Sequence, residues 1–333
     1  MKGKYIFWSP VSALAEMIVN KAQQLLQDGL FNRVIGWKKG ELCYEVEPYV
    51  FTDVDELKDF VYDGFCGANL AKYLVLESKK EGKVAVFMKP CDLKAYDRLK
   101  KEHRVNEDNV LVIGVECDGM LDHYKFKDVG LKGALTADTS DESEVKFGTL
   151  YGEKTVAKAD VLLEKCLTCT TREVTSTERL VTREKPLALP THDAYAEVEA
   201  LENASEEERF AFWQKELSKC IRCNACRNVC PACTCVTCVF DNAKSGMATK
   251  APADSFEEQM FHIIRAFHVA GRCVNCGECS RVCPERIPLH LLNRKFIKDI
   301  NLLYGEYVPG ASGDEKDPLV RYTEKDADPG KEA

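Results

Sequence analysis

The feature that most constrains this chain is a cysteine motif that occurs twice in its C-terminal third. In each copy the cysteines are separated by two, two and three residues, and a proline follows the fourth cysteine directly. Thiolates select soft metals and iron-sulfur clusters, and eight of them in a duplicated arrangement match the ligands of two 4Fe-4S clusters. The copies are Cys220, Cys223, Cys226, Cys230 and Pro231, and Cys273, Cys276, Cys279, Cys283 and Pro284.

This spacing is typical of bacterial two-cluster ferredoxins, in which the fourth cysteine of each motif binds the cluster of the other motif. The first three cysteines wrap one face of a cluster, and a starting helix carries the fourth away. All ligands are then thiolates and no iron is open to a substrate, so we expect a module that conducts electrons. The predicted sets are Cys220, Cys223, Cys226 and Cys283 for one cluster, and Cys273, Cys276, Cys279 and Cys230 for the other.

A third set of cysteines lies in the N-terminal half. Cys91 follows an apolar run, Cys117 follows the next such run, and Cys166 and Cys169 form a later pair. Because ligands bind at the carboxyl ends of strands in an open parallel sheet, the first two thiols are expected at one edge, where the pair can complete a four-thiolate site. We predict a third 4Fe-4S cluster here; a four-cysteine zinc site and a set without metal are the alternatives.

Five further cysteines fall outside these sets. Cys233, Cys235 and Cys238 crowd behind the first motif, and since cysteine is small and buries well, we expect them to pack around the cluster. Cys43 and Cys66 have no evident partners in the sequence and are expected to be ordinary thiols.

Charge and hydropathy narrow the class of protein further. The formal net charge of −8 is unfavourable for binding nucleic acid, and no apolar run approaches the ~20 residues of a membrane-spanning helix. The N-terminal segment has no pattern of an export signal, so we expect a cytoplasmic location. Seventeen cysteines in such a chain indicate metal binding rather than disulfide bonds.

Positive charge concentrates around the two motifs, although the whole chain is acidic. Residues 216–299 contain twelve Lys or Arg and eight Asp or Glu. Cations near a cluster offset its negative charge and favour its reduced state. Arg222, Arg227, Arg272 and Arg281 are the candidates for this role, and a solvated basic face is the alternative.

The N-terminal half is predicted to be an α/β domain with a mostly parallel sheet. Residues 84–88 and 110–115 are continuous apolar runs, as in strands buried on both faces, and the segment 92–101 between them has a helical pattern. An amphipathic helix at residues 15–26 and a β-rich stretch at 33–37 precede them. These segments together predict a βαβ unit.

Two helices are predicted to lead into the two motifs. Ser205 and Glu208 form a capping box before the first helix; Ser255 and Glu258 form one before the second, which ends at Gly271. Their apolar positions are expected to be packing residues: Phe210, Trp213 and Leu217 in the first helix, and Met260, Ile263, Ile264 and Phe267 in the second.

The predicted organisation has four parts. Residues 1–189 form the α/β domain with the third metal site, and residues 190–219 form a linker helix. Residues 220–305 form the dicluster ferredoxin domain, and 306–333 are a flexible tail.

The chain resembles a known class of electron-transfer subunits. The resemblance rests on residues 89–95 (Lys-Pro-Cys-Asp-Leu-Lys-Ala), on Cys117, Cys166 and Cys169, and on the ferredoxin motif with its trailing Cys-Pro-Ala-Cys-Thr-Cys. Over most of residues 84–290 it resembles the β subunits of cytoplasmic sulfhydrogenases and the A subunit of anaerobic sulfite reductase. Its N-terminal part is similar to β subunits of deazaflavin-reducing hydrogenases and formate dehydrogenases. The resemblance implies electron relay between a flavin- or NAD(P)-binding oxidoreductase subunit and a catalytic or heterodisulfide-reductase-type subunit.

The sequence leaves two functions open. We expect a relay subunit with no catalytic residues of its own, and the alternative is a flavin-bearing β subunit that itself oxidises or reduces a deazaflavin or NAD(P)H. Deazaflavin hydrogenase β subunits bind FAD, but no Gly-x-Gly-x-x-Gly follows a strand in this sequence, so FAD is not indicated. The loop Gly64-Phe65-Cys66-Gly67, before a predicted helix, could hold a phosphate at its amides or be a plain turn.

Overall fold

The structure is a computed structural model that describes residues 12–189, 191–242, 244 and 255–309, with the backbone alone for residues 255–258. Strands and helices alternate in the first half of the chain, and helices dominate the second. The strands are β1 (Arg33–Lys39), β2 (Val46–Phe51), β3 (Val84–Met88), β4 (Val110–Val115), β5 (Ala134–Asp138), β6 (Glu144–Thr149), β7 (Gly152–Ala157) and β8 (Glu178–Leu180). The helices are α1 (Ala13–Gln27), α2 (Leu74–Glu77), α3 (Pro90–Lys101), α4 (Lys158–Val161), α5 (Glu164–Leu167), α6 (Ala196–Asn203), α7 (Glu206–Leu217), α8 (Ala225–Val229), α9 (Ser255–His268), α10 (Glu278–Arg281) and α11 (Leu289–Tyr304).

The main sheet confirms the predicted α/β fold. Its strand order is β2-β1-β3-β4-β8, and every neighbouring pair is parallel except β1 with β2. All five residues of β3 are buried, as expected for a continuous apolar run in the middle of a parallel sheet. The predicted helix between β3 and β4 is α3, which begins at Pro90, where the missing N–H costs nothing.

The register of β3 and β4 decides where the polar residues that follow them lie. Met88 is opposite Gly114, so the two strands reach the same edge of the sheet together. Cys91 and Cys117 therefore leave the sheet on that edge, as their positions after the apolar runs predict.

A second sheet was not predicted. It is antiparallel, with the order β5-β6-β7, and buries Val145 and Phe147 of β6 while Lys146 between them is exposed. Its strands are short and mostly polar, and β7 has no buried residue. The alternation of apolar and polar residues that indicates a strand is therefore weak in this part of the sequence. The sheet packs against the main core through Phe147, whose ring meets that of Phe126 edge-on at 5.1 Å.

The segment predicted as one linker helix contains two helices, α6 and α7. The capping box that begins α7 is confirmed: Ser205 Oγ accepts from Glu208 N at 3.1 Å, and Glu208 Oε2 accepts from Ser205 N at 3.0 Å. Helix α6 is docked on α11, where Lys298 lies 2.6 Å from Glu202. The acidic helix is thus held by the basic face of the last helix.

The helix α9 differs from its prediction in the face that it buries. Its predicted capping residues Ser255 and Glu258 lie outside the described side chains, and the helix ends at His268, three residues before Gly271. Met260 and Phe267 were expected to pack inside but are 37% and 60% exposed.

The buried residues of α9 include two polar side chains. They are Phe261, His262, Arg265 and Ala266. Phe210 of α7 is likewise exposed at its surface, contrary to the packing prediction. The spacing of apolar residues predicted the wrong buried face of α9. Its inner face is turned toward the cysteine loops, which require cations and hydrogen-bond donors rather than aliphatic groups.

The last described residues pack onto the fold after α11. Tyr307, after α11, is buried, with its N–H donating to Asn301 Oδ1 at 3.2 Å, and most of the predicted tail lies outside the described residues. Among the described helices none combines the length and the apolar character needed to cross a membrane.

Candidate cluster sites and a neighbouring cleft

The two cysteine motifs fold in the same way. Arg222 and Asn224 in the first motif, and Asn275 and Gly277 at the equivalent positions of the second, all have positive φ between 54° and 65°. These left-handed residues turn the backbone amides inward; in the first loop the N–H of Arg222 donates to Cys220 Sγ at 3.4 Å. Short helices, α8 and α10, then begin at equivalent positions and carry the fourth cysteine away from its own loop.

The first predicted ligand set lines one cavity. Phe261, Leu289 and His262 close it from α9 and α11. The N–H of Ile287 donates to Cys283 Sγ at 3.4 Å, which fixes the cysteine that arrives from the second motif. The cysteines around this cavity are Cys220, Cys223, Cys226 and Cys283.

The second predicted set is brought together by Cys230. Burial raises the pKa of Cys273, Cys276 and Cys279, and a negative charge on Cys230 raises each of these pKa values further. Cys230 therefore lies near the three cysteines of the other motif. Asn293 of α11 donates from Nδ2 to Cys279 Sγ at 3.5 Å. The first crossed group thus lines one cavity, Cys230 acts electrostatically on the cysteines of the second motif, and the two ligand sets stay a prediction.

The middle set also meets at one cavity, at the edge of the main sheet. The N–H of Met120 donates to Cys166 Sγ at 3.3 Å, which orients that thiol. Val274, Asn275 and Cys276 of the second motif line the same cavity, so the middle set and the second set are neighbours. The predicted ligands around it are Cys91, Cys117, Cys166 and Cys169.

In the described ranges no three His, Cys, Asp or Glu side chains converge on the point that one metal ion would occupy. Thiolates that hold a cubane stand around a larger space, each at one iron corner.

Two buried lysines accompany the middle set. Lys89 is fully buried, with Nζ 2.8 Å from Ala68 O, 2.9 Å from Asp92 Oδ2 and 4.2 Å from the centre of the Trp37 ring. Burial raises the pKa of the Cys91 thiol, and the charges of Lys165 and Lys89 oppose this rise. Both ammonium groups therefore favour thiolates at this site, where a cluster would need them. The spacing of apolar residues in the sequence did not identify either lysine as functional, although Lys89 belongs to residues 89–95, on which the resemblance rests.

Ion pairs join the two halves of the chain. Glu278 is buried and pairs with Lys165 of the α/β half and with Arg281 at 2.8 Å. Although burial disfavours its charge, Arg281 and Lys165 hold the pKa of Glu278 well below its usual value. Arg272 donates to Glu102 at 2.6 and 2.8 Å. Carboxylates and cations from both halves thus fix the second set beside the middle cavity.

The four arginines predicted to act on the clusters are largely engaged elsewhere. Arg227 lies 2.7 Å from Asp241, and Arg272 and Arg281 pair with Glu102 and Glu278. The guanidinium of Arg222 lies 4.3 Å from the centre of the Phe261 ring.

The extra cysteines have different environments. Cys233 follows Cys230 in a turn in which its N–H donates to Cys230 O at 3.1 Å, so it packs beside a predicted ligand. Cys235 is exposed, which contradicts its expected packing role. Cys43 and Cys66 are buried, and Cys43 Sγ donates to Ala134 O at 3.4 Å. The structure gives these last two the environment of ordinary core thiols.

An aromatic cleft lies between the two halves, beside the first set. The rings of Tyr44 and His123 are stacked, with centres 5.0 Å apart and planes 9° apart, and burial lowers the pKa of His123. Arg286 lies 4.8 Å from the centre of the Tyr124 ring, and Cys283 of the first set lines the same cleft. Flat rings and a cation suit a planar ligand with an anionic group.

The glycine loop considered for phosphate binding is a turn. Gly67 N donates to Phe65 O at 2.7 Å, and Phe65 N donates to Asp63 Oδ1 at 2.8 Å. The predicted helix after the loop is short: a 3-10 turn, Ala71–Tyr73, continues directly into α2, Leu74–Glu77. Gly67 still lines the aromatic cleft, as a wall rather than as a phosphate cradle.

A separate cleft lies near the start of α1. It is lined by Asp63, Glu116, Asp118 and Arg183, and Arg183 pairs with both Glu116 and Asp118. Arg183 faces two carboxylates here, whereas Arg286 of the aromatic cleft pairs with one, Asp122, at 3.0 Å.

The comparisons with known proteins agree with the cysteine geometry. Residues 216–287 match the family described as 4Fe-4S dicluster domain, which confirms the predicted domain type. The F420-dependent formate dehydrogenase 1 subunit beta of Methanococcus maripaludis is 30% identical over 89% of this chain and 90% of its own length. The F420-dependent formate dehydrogenase subunit beta of Methanocaldococcus jannaschii is 28% identical over 86% and 89%. A chain of the F420-reducing NiFe hydrogenase complex of Methanosarcina barkeri superposes on 47% of this chain and 59% of its own, with a TM-score of 0.37 and 15% identity, below the level that shows a shared fold.

Proposed function

Because this chain belongs to the family of F420-dependent formate dehydrogenase β subunits, we propose that it relays single electrons through 4Fe-4S clusters inside a multi-subunit anaerobic oxidoreductase. Its partners are then a catalytic subunit on one side and a flavin- or NAD(P)-type subunit on the other. The single observation that carries the proposal is the shared cavity wall, in which Cys276 of the second set lies beside Cys91 and Cys166 of the middle set.

The arrangement supports a linear path. The middle set adjoins the second set, and the second set exchanges its fourth cysteine with the first. Cys223 of the first set is exposed and its neighbour Ile221 is 60% exposed, so this end of the path lies at the surface. Bound clusters would supply one-electron carriers whose potentials span about −700 to +450 mV across known proteins.

The chain's own residues hold and insulate this path. Leu217, Ile287 and Leu289 form a small apolar core around the ferredoxin-type loops, which keeps water from the buried cysteines. The ion pairs between the halves fix the separation between the middle cavity and the second set. These residues move no proton and touch no substrate in this function.

The test uses the anaerobically purified full-length chain. We expect dithionite to reduce it, and we expect no turnover with formate, hydrogen, NAD(P)H or sulfite until partner subunits are added. Cys91→Ser should then interrupt transfer between the partners while the ferredoxin-type clusters are still reduced; Cys43→Ser is the matched control. Full transfer in the Cys91 variant would exclude the middle site from the path.

The second candidate is a flavin-bearing subunit that itself reacts with a deazaflavin or NAD(P)H. The aromatic cleft favours it, because the stacked rings of Tyr44 and His123 and the cation of Arg286 lie beside Cys283, an entry to the first cluster. F420-dependence in the names of the two relatives points to the same chemistry. Extracted flavin, together with deazaflavin turnover by the isolated chain, would replace the relay proposal with this one.

A further inference from the structure

An arginine that no motif identified lies on the buried face of α9, one helical turn after Phe261 and His262, which line the cavity of the first cysteine set. Arg265 of α9 is 2% exposed, and among the described residues none of its three guanidinium nitrogens finds a hydrogen-bond partner. A buried cation without a partner is strongly unfavourable, so the fold retains this one only if a negative group compensates it.

The groups that face Arg265 identify that compensation. Burial opposes its charge, but Cys279, Cys226 and Cys230 favour it, so that the pKa of Arg265 is raised. Cys226 belongs to the first predicted set, whereas Cys279 and Cys230 belong to the second. Arg265 is therefore within electrostatic reach of both sets.

Three other arginines near the motifs have carboxylate partners, and Lys72, whose Nζ donates to Cys233 O, faces only Cys230 among the predicted ligands. Arg227 is paired with Asp241 at 2.7 Å, Arg272 with Glu102 at 2.6 Å and Arg281 with Glu278 at 2.8 Å. A carboxylate next to a guanidinium cancels much of its field at longer range. The charge of Arg265 has no such carboxylate among the described residues, so it acts on the cysteine sets undiminished.

We propose that Arg265 sets the reduction potentials of both ferredoxin-type clusters, an inference that rests on the proposed function. One electron enters from a donor and leaves to an acceptor, no bond forms or breaks, and the guanidinium keeps its proton throughout. Because reduction adds a negative charge on either side of Arg265, its fixed positive charge stabilises the reduced state of both sites in a low-dielectric interior.

The experiment compares Arg265→Gln, Arg265→Lys and Arg227→Gln with the unmodified full-length chain. Iron and sulfide are counted first, and the midpoint potentials of the clusters are then measured by EPR-monitored redox titration. We expect Arg265→Gln to make reduction of both clusters at least tenfold less favourable, about 59 mV for a one-electron couple. Arg265→Lys keeps the positive charge, so its potentials should stay close to those of the unmodified chain. Arg227→Gln removes a charge that is already paired, so it should shift the potentials much less than Arg265→Gln.

Unchanged potentials in an Arg265→Gln protein with full iron would overturn the proposal, as would a shift confined to one cluster. If the Gln variant loses iron, Arg265→Met is the second neutral variant: with native iron, lowered potentials of both clusters support the proposal, and unchanged potentials refute it. Absence of clusters from the unmodified chain would instead overturn the proposed function itself, so the two failures are distinguishable.

Discussion

Lys165 and Glu278 form a buried ion pair across the boundary between the α/β half and the cysteine-rich half of the chain. Lys165 Nζ also donates to Gly67 O at 2.6 Å, and Glu278 Oε2 accepts from Asn69 N at 3.1 Å. Gly277, with φ of +65°, leaves room for the lysine, since a Cβ there would lie 2.5 Å from Lys165 Cβ. The pair therefore holds the second cysteine set against the middle cavity.

Breaking this pair should loosen the junction. Lys165→Met leaves Glu278 buried with Arg281 as its remaining cation. We expect a loss of about 3 kcal/mol of unfolding free energy, the lower end of the cost of breaking a buried ion pair, because Arg281 still compensates part of the charge. Denaturant unfolding under anaerobic conditions measures it. Lys295→Met is the control, because its pairs with Asp299 and Glu202 lie at the surface and are each worth at most about 1 kcal/mol. Equal effects of the two variants would show that the buried pair does not hold the junction.

The metal content tests the middle set. We expect about twelve irons per chain, four from each of three cubanes, and about eight after the double substitution of Cys166 and Cys169 by serine. Iron and acid-labile sulfide analysis measures this, with Cys43→Ser as a control that keeps the full count. Eight irons together with one zinc in the unmodified chain would assign the middle set to zinc.

The crossed assignment predicts different losses from two cysteines of one motif. Cys226→Ser should disturb the first cluster, and Cys230→Ser should disturb the second, because Cys230 lies with the cysteines of the other motif. EPR spectra of the reduced variants distinguish the two clusters, and Cys235→Ser, at an exposed position, should change neither. Identical spectral losses from the two variants would contradict the crossing.

The aromatic cleft predicts where a flavin or deazaflavin would bind. Arg286→Met removes the cation over Tyr124, so binding should weaken about tenfold, or about 1.4 kcal/mol. Fluorescence titration with each ligand measures the affinity, and Arg183→Gln in the separate acidic cleft is the matched control. Weakening by the Arg183 variant alone would move the site to the acidic cleft.

Much of this molecule follows from local sequence. The two-two-three cysteine spacing fixes the loop geometry because the left-handed residues and short helices that it needs lie within a few positions. The apolar runs of β3 and β4 predict a parallel sheet, since a strand buried on both faces needs apolar side chains throughout. The capping box at Ser205 predicts the start of α7, because its two residues, Ser205 and Glu208, are only three positions apart.

Only the tertiary structure decided which distant groups meet. The proximity of Cys276 to the middle cavity, the pair of Lys165 with Glu278 and the position of Arg265 all join residues far apart in the chain. The sequence of α9 carries an apolar stripe, which predicted the wrong inner face, because its burial is set by the cysteine loops packed against it. Ion pairs and buried cations have no periodicity, so they appear only when packing brings their partners together.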